Sequence, residues 1–293
     1  LIEENIFDRN GWDHRIGRSD ATIFAHNVYI QRSCNDVVFR GNISMRASSH
    51  GVQLRPGGIA DNNVFIENPM SLLFANARQT EARPTDSVRN NVILNGVDLR
   101  PDQPRGWGIH IQDVLQVTVE GNIVANSDVP GRGWGFSVSG RSDDFVRGTV
   151  VRNNVVRGYG DALFINPDLA QDVLLDGNTF VAGPGSRVGF LRHDRVGGLR
   201  FGLGNVYGGS GSRAFELGSR GLSVPAFINE FDPAGSAIDA AGSESDIDTY
   251  ARSIGLTDRD AFYAALRSQR RGAWDERLTA RAIYGWFAAE AGR

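Results

Sequence analysis

The chain has no lysine, and all 31 of its basic side chains are arginine. An enzyme built on this sequence has no amine for Schiff-base chemistry, so its catalytic base must be histidine, tyrosine, a carboxylate or an unusual arginine. Cys34 is the only cysteine, which excludes an internal disulfide, and its place at a strand entrance predicts a small buried side chain. No apolar run reaches the roughly 18 residues that a membrane span requires.

A strong charge of either sign is also lacking. The formal net charge of the 293-residue chain is -3, which gives no electrostatic reason to expect nucleic acid or an anionic membrane surface as a partner. Glycine, in contrast, is abundant at 36 residues, and 41% of the chain is hydrophobic. This combination favours many short strands that meet at tight corners around a sizeable core.

An asparagine followed by apolar, mostly β-branched or aromatic residues recurs nine times along the chain. From the third occurrence onward the intervals are 21, 28, 31, 32, 24 and 27 residues. A repeat of variable length with one fixed step is typical of a solenoid whose coils share a corner and differ in their loops. Asparagine suits that corner because it tolerates the left-handed conformation, and stacked asparagines can form a ladder of amide hydrogen bonds. The nine are Asn5, Asn27, Asn42, Asn63, Asn91, Asn122, Asn154, Asn178 and Asn205.

Two kinds of strand flank this step in each coil. One precedes the asparagine, as in residues 117–122, and the other follows it, as in residues 108–112; both alternate with the period of a strand. Like strands lie more than 20 residues apart without a helical pattern between them, so neighbours in a sheet must be parallel. The sequence therefore predicts an all-β fold, a right-handed parallel β-helix of about nine coils.

The repeat pattern covers residues 1–228, and residues 229–245 are expected to form a surface linker because Gly, Ala, Ser and Asp dominate there. Residues 246–293 carry helical patterns, one of which begins at a capping box formed by Thr257 and Asp260. We expect this helical tail to pack on the solenoid and to cover an exposed strand edge. Because the chain starts inside a repeat and a first coil needs a polar cap, we expect further coils to precede it.

Stacking the second kind of strand in register predicts where polar side chains gather. If Val52, Ile109 and Phe136 point inward, the residues between them form outward columns, with about 4.8 Å from coil to coil. The longest loops of the chain border these columns, and long loops around a polar sheet surface can build an extended groove. The predicted polar patch consists of Gln53, Arg55, His110, Gln112, Ser137 and Ser139.

Histidine and arginine are densest at the start of this patch. Arg55 could neutralise a carboxylate there, and His50 could move a proton at near-neutral pH. His110 is an equivalent catalytic candidate two coils along, and Arg46 would add a substrate contact. The alternative is that His50 is a corner residue bonded to a neighbouring carbonyl and that Arg55 is a solvated charge. His26 is open to the same two interpretations.

Trp107 and Trp134 each stand in a Gly-Trp-Gly step just before an outward polar strand. Aromatic planes spaced along a groove stack on sugar rings, but tryptophans at coil corners also pack under loops, so both interpretations stay open. Arg141 would add a further substrate contact. Asp143 and Asp144 could hold Ca²⁺, although paired aspartates in a polar turn usually only shape the turn. The sequence predicts no other metal or cofactor.

With its coils, corner asparagines and outer groove, the chain over residues 1–228 resembles the pectate-lyase-like β-helix superfamily of polysaccharide lyases, hydrolases, alginate C5-epimerases and phage tailspike domains. The resemblance implies a secreted or periplasmic protein whose partner is a polysaccharide or oligosaccharide, and it is compatible with an oligomer. The sharper motifs of the superfamily are mostly absent. Only Ser49-His50-Gly51 approaches the Gly-His-Gly of its hydrolases, and there is no lysine to act as a lyase base.

The supply of residues favours β-elimination on a uronate polymer. Hydrolysis needs two convergent carboxylates, which the outward columns of the middle coils almost lack. Elimination needs a neutraliser for the C6 carboxylate and a base for the C5 proton, which Arg55 with His50 or His110 could provide. We therefore expect a polysaccharide lyase. C5-epimerisation and a non-catalytic carbohydrate-binding solenoid stay open, as does a hydrolase or fructan transferase with acids at a subunit interface, drawing on Asp161, Asp168 or Glu216.

Overall fold

The computed structural model describes residues 1–13, 15–17, 20–76, 85–99, 105–128, 133–140, 146–166, 168, 170–192, 196–239, 245–270 and 272–292. The first strands in these ranges are β1 (Ile2–Glu3), β2 (Ile6–Asp8), β3 (Val28–Ile30), β4 (Val38–Arg40), β5 (Ile43–Met45), β6 (His50–Leu54), β7 (Ile59–Asp61), β8 (Val64–Ile66), β9 (Met70–Phe74), β10 (Ser87–Arg89), β11 (Val92–Gly96) and β12 (Trp107–Gln112). They are followed by β13 (Leu115–Glu120), β14 (Ile123–Ser127), β15 (Trp134–Ser139), β16 (Val146–Arg152), β17 (Val155–Ile165), β18 (Ala170–Asp176), β19 (Thr179–Leu191), β20 (Leu199–Phe201), β21 (Val206–Gly208), β22 (Phe215–Leu217), β23 (Arg220–Leu222) and β24 (Ser236–Ile238). The helices are α1 (Val224–Phe231), α2 (Ile247–Ser253), α3 (Arg259–Arg267) and α4 (Ala280–Glu290), with a 3₁₀ turn at Glu276–Leu278.

Each full coil contributes a strand to each of three parallel sheets. The first sheet has the order β1-β4-β7-β10-β13-β16-β18-β20. The second runs β2-β5-β8-β11-β14 and continues through the first halves of β17 and β19 to β21 and β24. The third runs β3-β6-β9-β12-β15 and continues through the second halves of β17 and β19 to β22, which pairs antiparallel with β23. This topology is the predicted parallel β-helix.

Apolar side chains fill the interior of the coils because residues of a strand alternate between the two faces of its sheet. At one inward position of the third sheet, seven coils place apolar residues of a single buried core: Val28, Val52, Leu72, Ile109, Phe136, Leu163 and Phe215. Gly189 occupies this position in the remaining coil, where a Cβ would approach the ring of Phe215 to 2.8 Å. The small residue therefore makes room for the aromatic ring of its neighbour.

Asparagines, all buried except Asn5, form a continuous ladder at the corner between the first and second sheets. Oδ1 of Asn91 accepts from the backbone N–H of Asn63 at 3.0 Å and from its Nδ2 at 2.9 Å. The same Nδ2 donates to the Phe39 carbonyl at 2.9 Å. This pattern repeats from coil to coil and confirms the predicted amide ladder, which contains Asn5, Asn42, Asn63, Asn91, Asn122, Asn154, Asn178 and Asn205.

Two details of this corner differ from the sequence-based expectation. Asn27 does not join the ladder: it precedes β3 in the third sheet, and its Nδ2 donates to Ser44 Oγ at 3.0 Å and to the Met45 carbonyl at 2.9 Å. The left-handed conformation belongs to the residue before each ladder asparagine, such as Gly41 with φ 65° or Asn90 with φ 53°. One residue therefore turns the chain, and the next one binds the neighbouring coil.

Cys34 is exposed, so the prediction of a buried side chain is wrong. It lies between β3 and β4, where its backbone N–H donates to the Gln31 carbonyl at 3.0 Å. A residue in such a turn escapes the strand alternation on which the prediction depended.

Helix α1 and the segment after it close one end of the solenoid. The Phe227 ring stacks on Phe215 with 3.7 Å between centroids and 6° between planes. Asp232 Oδ2 ends the asparagine ladder by accepting from Asn205 Nδ2 at 3.1 Å and from the Tyr207 hydroxyl at 2.8 Å. The predicted linker therefore contains a buried aspartate, and it also contains β24, which extends the second sheet.

Helices α2, α3 and α4 pack on the outer face of the second sheet. Helix residues Tyr250, Phe262, Ile283 and Phe287 share one buried cluster with the outward residues Ile43, Met45, Val64, Ile66, Val92, Leu94, Ile123 and Ala125. The tail therefore covers a sheet face, and the expectation that it covers a strand edge is wrong. Helix α3 is capped by Asp258, which accepts from the Ala261 N–H, and not by Thr257. Within the described ranges, no helix combines the length and the apolar character that crossing a membrane would require.

We expect Asn122→Ala to lower the free energy of unfolding by about 3 kcal/mol, because it removes four hydrogen bonds from buried polar groups of neighbouring coils. The groups that lose a hydrogen bond are the Asn91 N–H and Nδ2, the Val88 carbonyl and Asn154 Oδ1. Denaturant unfolding followed by circular dichroism measures the change. The matched control is Asn229→Ala, at an exposed position of α1, with an expected change within about 0.5 kcal/mol. Equal effects of the two substitutions would contradict a structural role for the ladder.

Candidate functional site

The outer face of the third sheet, which we call the third-sheet face, aligns its side chains in the predicted register. One outward column holds Gln53, Leu73, His110, Ser137, Phe164, Phe190 and Glu216. A second column, three residues earlier on the strands, holds His50, Met70, Trp107, Trp134, Asp161 and Arg187. In the column two residues after His110 and Ser137, Gln112 pairs with Ser139. The structure therefore brings most of the predicted site residues to one face.

Most polar side chains of this face are buried, whereas Arg55 and Ser139 are half-buried. Exposure is 7% or less for His50, Gln53, His110 and Gln112. Met70 and Leu73 of β9 are also buried and lie between the coil of His50 and the coil of His110. The predicted continuous patch is therefore two polar clusters separated by an apolar strand.

The first cluster is centred on His50, the first residue of β6. Its Nδ1 lies 3.1 Å from Nδ1 of His26 and 3.0 Å from Ser49 Oγ. The backbone N–H of His50 also donates to Nδ1 of His26 at 3.4 Å. Nε2 of His50 is buried and has no hydrogen-bond partner among the described residues. The described residues therefore leave the hydrogen-bonding capacity of this buried nitrogen unused.

Cationic and imidazole groups surround His50. Burial lowers the pKa of His50 well below its ordinary value, and His26, His110, Arg105 and Arg55 lower it further. Burial and Arg55 also lower the pKa of His26. Both imidazoles are therefore neutral at pH 7, in a setting whose fixed positive charge comes from Arg55 and Arg105.

The second cluster is centred on His110. Its Nδ1 lies 2.9 Å from Ser137 Oγ, and its Nε2 lies 3.3 Å from Ser139 Oγ. The ring also stacks on Trp107 with 5.3 Å between centroids. Both ring nitrogens contact hydroxyls, so His110 has less freedom to take a proton from a ligand than His50 has.

Trp107 and Trp134 stack on each other, with 4.5 Å between centroids and 18° between planes. Phe164 of the next coil stacks on Trp134 at 3.9 Å, and the guanidinium of Arg105 lies 5.3 Å from the Trp107 ring centre. Protein groups occupy these indole faces. The structure therefore favours the packing interpretation over the interpretation of the tryptophans as spaced planes for sugar rings.

Arg46 is not on the third-sheet face, which corrects its predicted place in the groove. It follows β5 of the second sheet, and its Nη2 lies 2.6 Å from Asp8 Oδ2. Its guanidinium lies 4.1 Å from the ring centre of Tyr263 in the helical tail. Arg267 of the tail shares the same Asp8 carboxylate at 2.6 Å, so Arg46 helps to hold the tail on the solenoid.

The predicted calcium ligands Asp143 and Asp144 lie outside the described residues, as does Arg141. Across the residues that the structure does describe, no group of three or more His, Cys, Asp or Glu side chains is placed to hold a metal ion.

Two of the acidic residues proposed for a hydrolase meet on the third-sheet face. Arg187 lies 2.6 Å from Asp161 Oδ1 and 3.0 Å from Glu216 Oε2, and Arg213 lies 3.2 Å from the same Glu216 oxygen. Burial raises the pKa of Asp161, while the hydrogen bonds and charge of Arg187 oppose that effect. Asp168 is exposed. Because the two converging carboxylates are tied to arginines, they form an ion-pair cluster and not a free acid and base.

His26 and Arg105 are the residues that the sequence analysis undervalued. Val28 pairs with Val52, so the positions two residues earlier place His26 beside His50. This register was available from the strand pattern, but Asn27 was assigned to the ladder corner instead. Arg105 stands directly before the first Gly-Trp-Gly step, a position that gave no signal of its closeness to His50.

Comparisons with protein-family models, with curated proteins and with solved structures found no match. Inference about function therefore depends on the geometry of the third-sheet face.

We expect the free energy of unfolding to fall as the pH is lowered from 7 to 5. His26 and His50 have lowered pKa values in the folded state, so the unfolded chain binds more protons once the pH passes below about 6.5. The contribution of these two imidazoles to the free energy of unfolding is therefore complete above that pH. It is lost as the pH falls through their lowered pKa values. Denaturant unfolding at stepped pH measures the slope.

The variant His50→Asn should have a shallower slope because its amide does not titrate. Arg200→Gln, which changes an exposed arginine paired with Asp172, should keep the slope of the unmodified protein. A slope that is the same with and without His50 would show that the imidazole is not buried in its neutral form.

Proposed function

We propose that this protein is a polysaccharide lyase of the pectate-lyase-like group, which cleaves a uronate-containing polymer by β-elimination on the third-sheet face. The observation that carries the proposal is the state of His50. Its imidazole is buried and neutral at pH 7, its Nε2 has no partner among the described residues, and Arg55 and Arg105 lie near it. A neutral imidazole beside fixed positive charge is suited to take a proton from carbon next to a carboxylate.

In the proposed reaction Arg55 binds the C6 carboxylate of the uronate, which makes the C5 proton more acidic. His50 Nε2 takes the C5 proton, and the electron pair of the C5–H bond forms the C4–C5 double bond. The bond from C4 to the glycosidic oxygen breaks, and the leaving oxygen takes a proton from water. The products are a new reducing end and an unsaturated non-reducing end.

The charge distribution supports elimination over hydrolysis. Among the described residues, the outward columns from β6 to β15 contain no Asp or Glu. The alternative acids Asp161 and Glu216 are held by Arg187. A hydrolase requires two carboxylates that can act as acid and as base or nucleophile, and this face does not offer such a pair.

Substitution at the base and at the neutraliser tests the proposal. Against a panel of uronate polymers, His50→Asn and Arg55→Gln should each lower kcat/KM by about 100-fold or more, because each removes a group that acts in the transition state. Arg200→Gln, on the first sheet, is the matched control for Arg55→Gln and should retain the activity of the unmodified protein. Absorbance of the unsaturated ends gives the rates, and circular dichroism checks the fold.

The other functions leave different products. Reducing ends without unsaturation would indicate a hydrolase or transferase, and solvent deuterium at C5 without chain cleavage would indicate an epimerase. Retardation in affinity electrophoresis without turnover would indicate a carbohydrate-binding solenoid. Each of these results would overturn the lyase proposal, as would full activity of His50→Asn.

A further inference from the structure

We infer that His26 is a positioning residue, which holds His50 in the tautomer that is protonated at Nδ1 and carries its lone pair on Nε2. The catalytic consequence of this inference rests on the proposed function, because that lone pair is the base of the elimination. The tautomer itself follows from the hydrogen bonds around the two rings.

The contact between the rings requires one donor and one acceptor. The two Nδ1 atoms lie 3.1 Å apart, and both imidazoles are neutral at pH 7. Each neutral ring carries a single N–H, so a hydrogen bond forms only if one Nδ1 holds a proton and the other holds a lone pair. Two protons, or two lone pairs, would repel each other across this distance.

The backbone N–H of His50 shows which of the two rings donates the hydrogen bond and which accepts it. This N–H donates to Nδ1 of His26 at 3.4 Å, and a backbone amide is always a donor. A proton on Nδ1 of His26 would face that amide hydrogen, whereas a lone pair accepts from it. His26 is therefore protonated at Nε2, and the proton between the rings belongs to Nδ1 of His50.

Ser49 agrees with this assignment. Its Oγ lies 3.0 Å from Nδ1 of His50, where it can accept from the same N–H in a three-centre bond. The lone pair of His50 is then on Nε2, which is the buried atom without a partner among the described residues. The nitrogen that the hydrogen bonds leave unprotonated is thus the nitrogen whose lone pair no described residue uses.

The fold holds His26 firmly in this place. The next residue, Asn27, is buried, and its backbone N–H donates to the His50 carbonyl at 2.9 Å. Its Nδ2 donates to Ser44 Oγ and to the Met45 carbonyl. The imidazole rings meet edge to face, with 4.6 Å between centroids and 83° between planes. A base whose second ring nitrogen is oriented by a neighbouring group follows the logic of catalytic triads.

Nitrogen-15 NMR of the full chain at neutral pH tests the tautomer without a substrate. The chain has 5 histidines, and the signals of His50 are identified by their loss in His50→Asn. We expect Nδ1 of His50 to be protonated, Nε2 of His50 to be unprotonated, and His26 to be protonated at Nε2. Protonation of His50 at Nε2 in the unmodified protein would overturn the inference.

Two substitutions of His26 test its positioning role. His26→Leu removes the acceptor, so we expect a mixture of His50 tautomers and a decrease in kcat/KM of about fivefold or more, the factor for one lost hydrogen bond. His26→Asn keeps an acceptor oxygen near the position of Nδ1, so we expect it to retain the tautomer and most of the activity. An unchanged His50 tautomer in folded His26→Leu would overturn the role of His26.

The two proposals can fail separately. If the unmodified protein shows the expected tautomer but produces no unsaturated ends from any uronate polymer, the lyase proposal is wrong and the inference about His26 stands. If His26→Leu does not fold, the tautomer in the unmodified protein and in His26→Asn still decides the inference.

Discussion

The structure depends on the hydrogen bonds that each ladder asparagine accepts from the coil before it. One buried Oδ1 binds both the backbone N–H and the Nδ2 of its neighbour, as Asn122 Oδ1 does for Asn91 at 3.0 and 2.9 Å. These bonds satisfy polar groups that would otherwise be costly in an apolar interior. They also fix the register, because each bond joins equivalent positions of neighbouring coils. A slip of one residue would exchange the inner and outer faces of every strand that follows.

Fixed register explains how residues far apart in sequence meet on one face. His26 and His50 lie in consecutive coils of the third sheet, and the charge of Arg105, from a later coil, acts on His50. The second sheet does not offer such a surface from β5 to β14, because its outward residues there are mostly apolar and are covered by the helical tail. Burial then determines the protonation state of the imidazoles in the polar cluster, since a desolvated imidazole stays neutral at a pH where an exposed one begins to take up a proton.

The strand periodicity predicted the coils, the amide ladder and the outward columns, because alternation and stacking are properties of the backbone. It did not predict what lies on top of a column. Gln53 and His110 lie in the outward column as predicted and yet are buried, and Trp107 and Trp134 stack on each other instead of standing apart. Such contacts depend on side-chain rotamers and on neighbouring coils, which a period does not specify. Helix α1 was missed although Ser223 at its N-cap and Pro225 in its first turn are ordinary start signals, because the repeat was extended over it.

The last member of the ladder differs chemically from all the others. Asp232 accepts from Asn205 and Tyr207, but a carboxylate has no N–H with which to bind another coil. Helix α1 lies over the same end and stacks Phe227 on the final aromatic residue of the core. A stack of parallel coils resembles the arrangement of an amyloid protofilament, in which any open end is a template for further growth. Replacing one amide by a carboxylate removes the donor that a further coil would need, so the ladder cannot be continued at this end by the hydrogen bonds that build it.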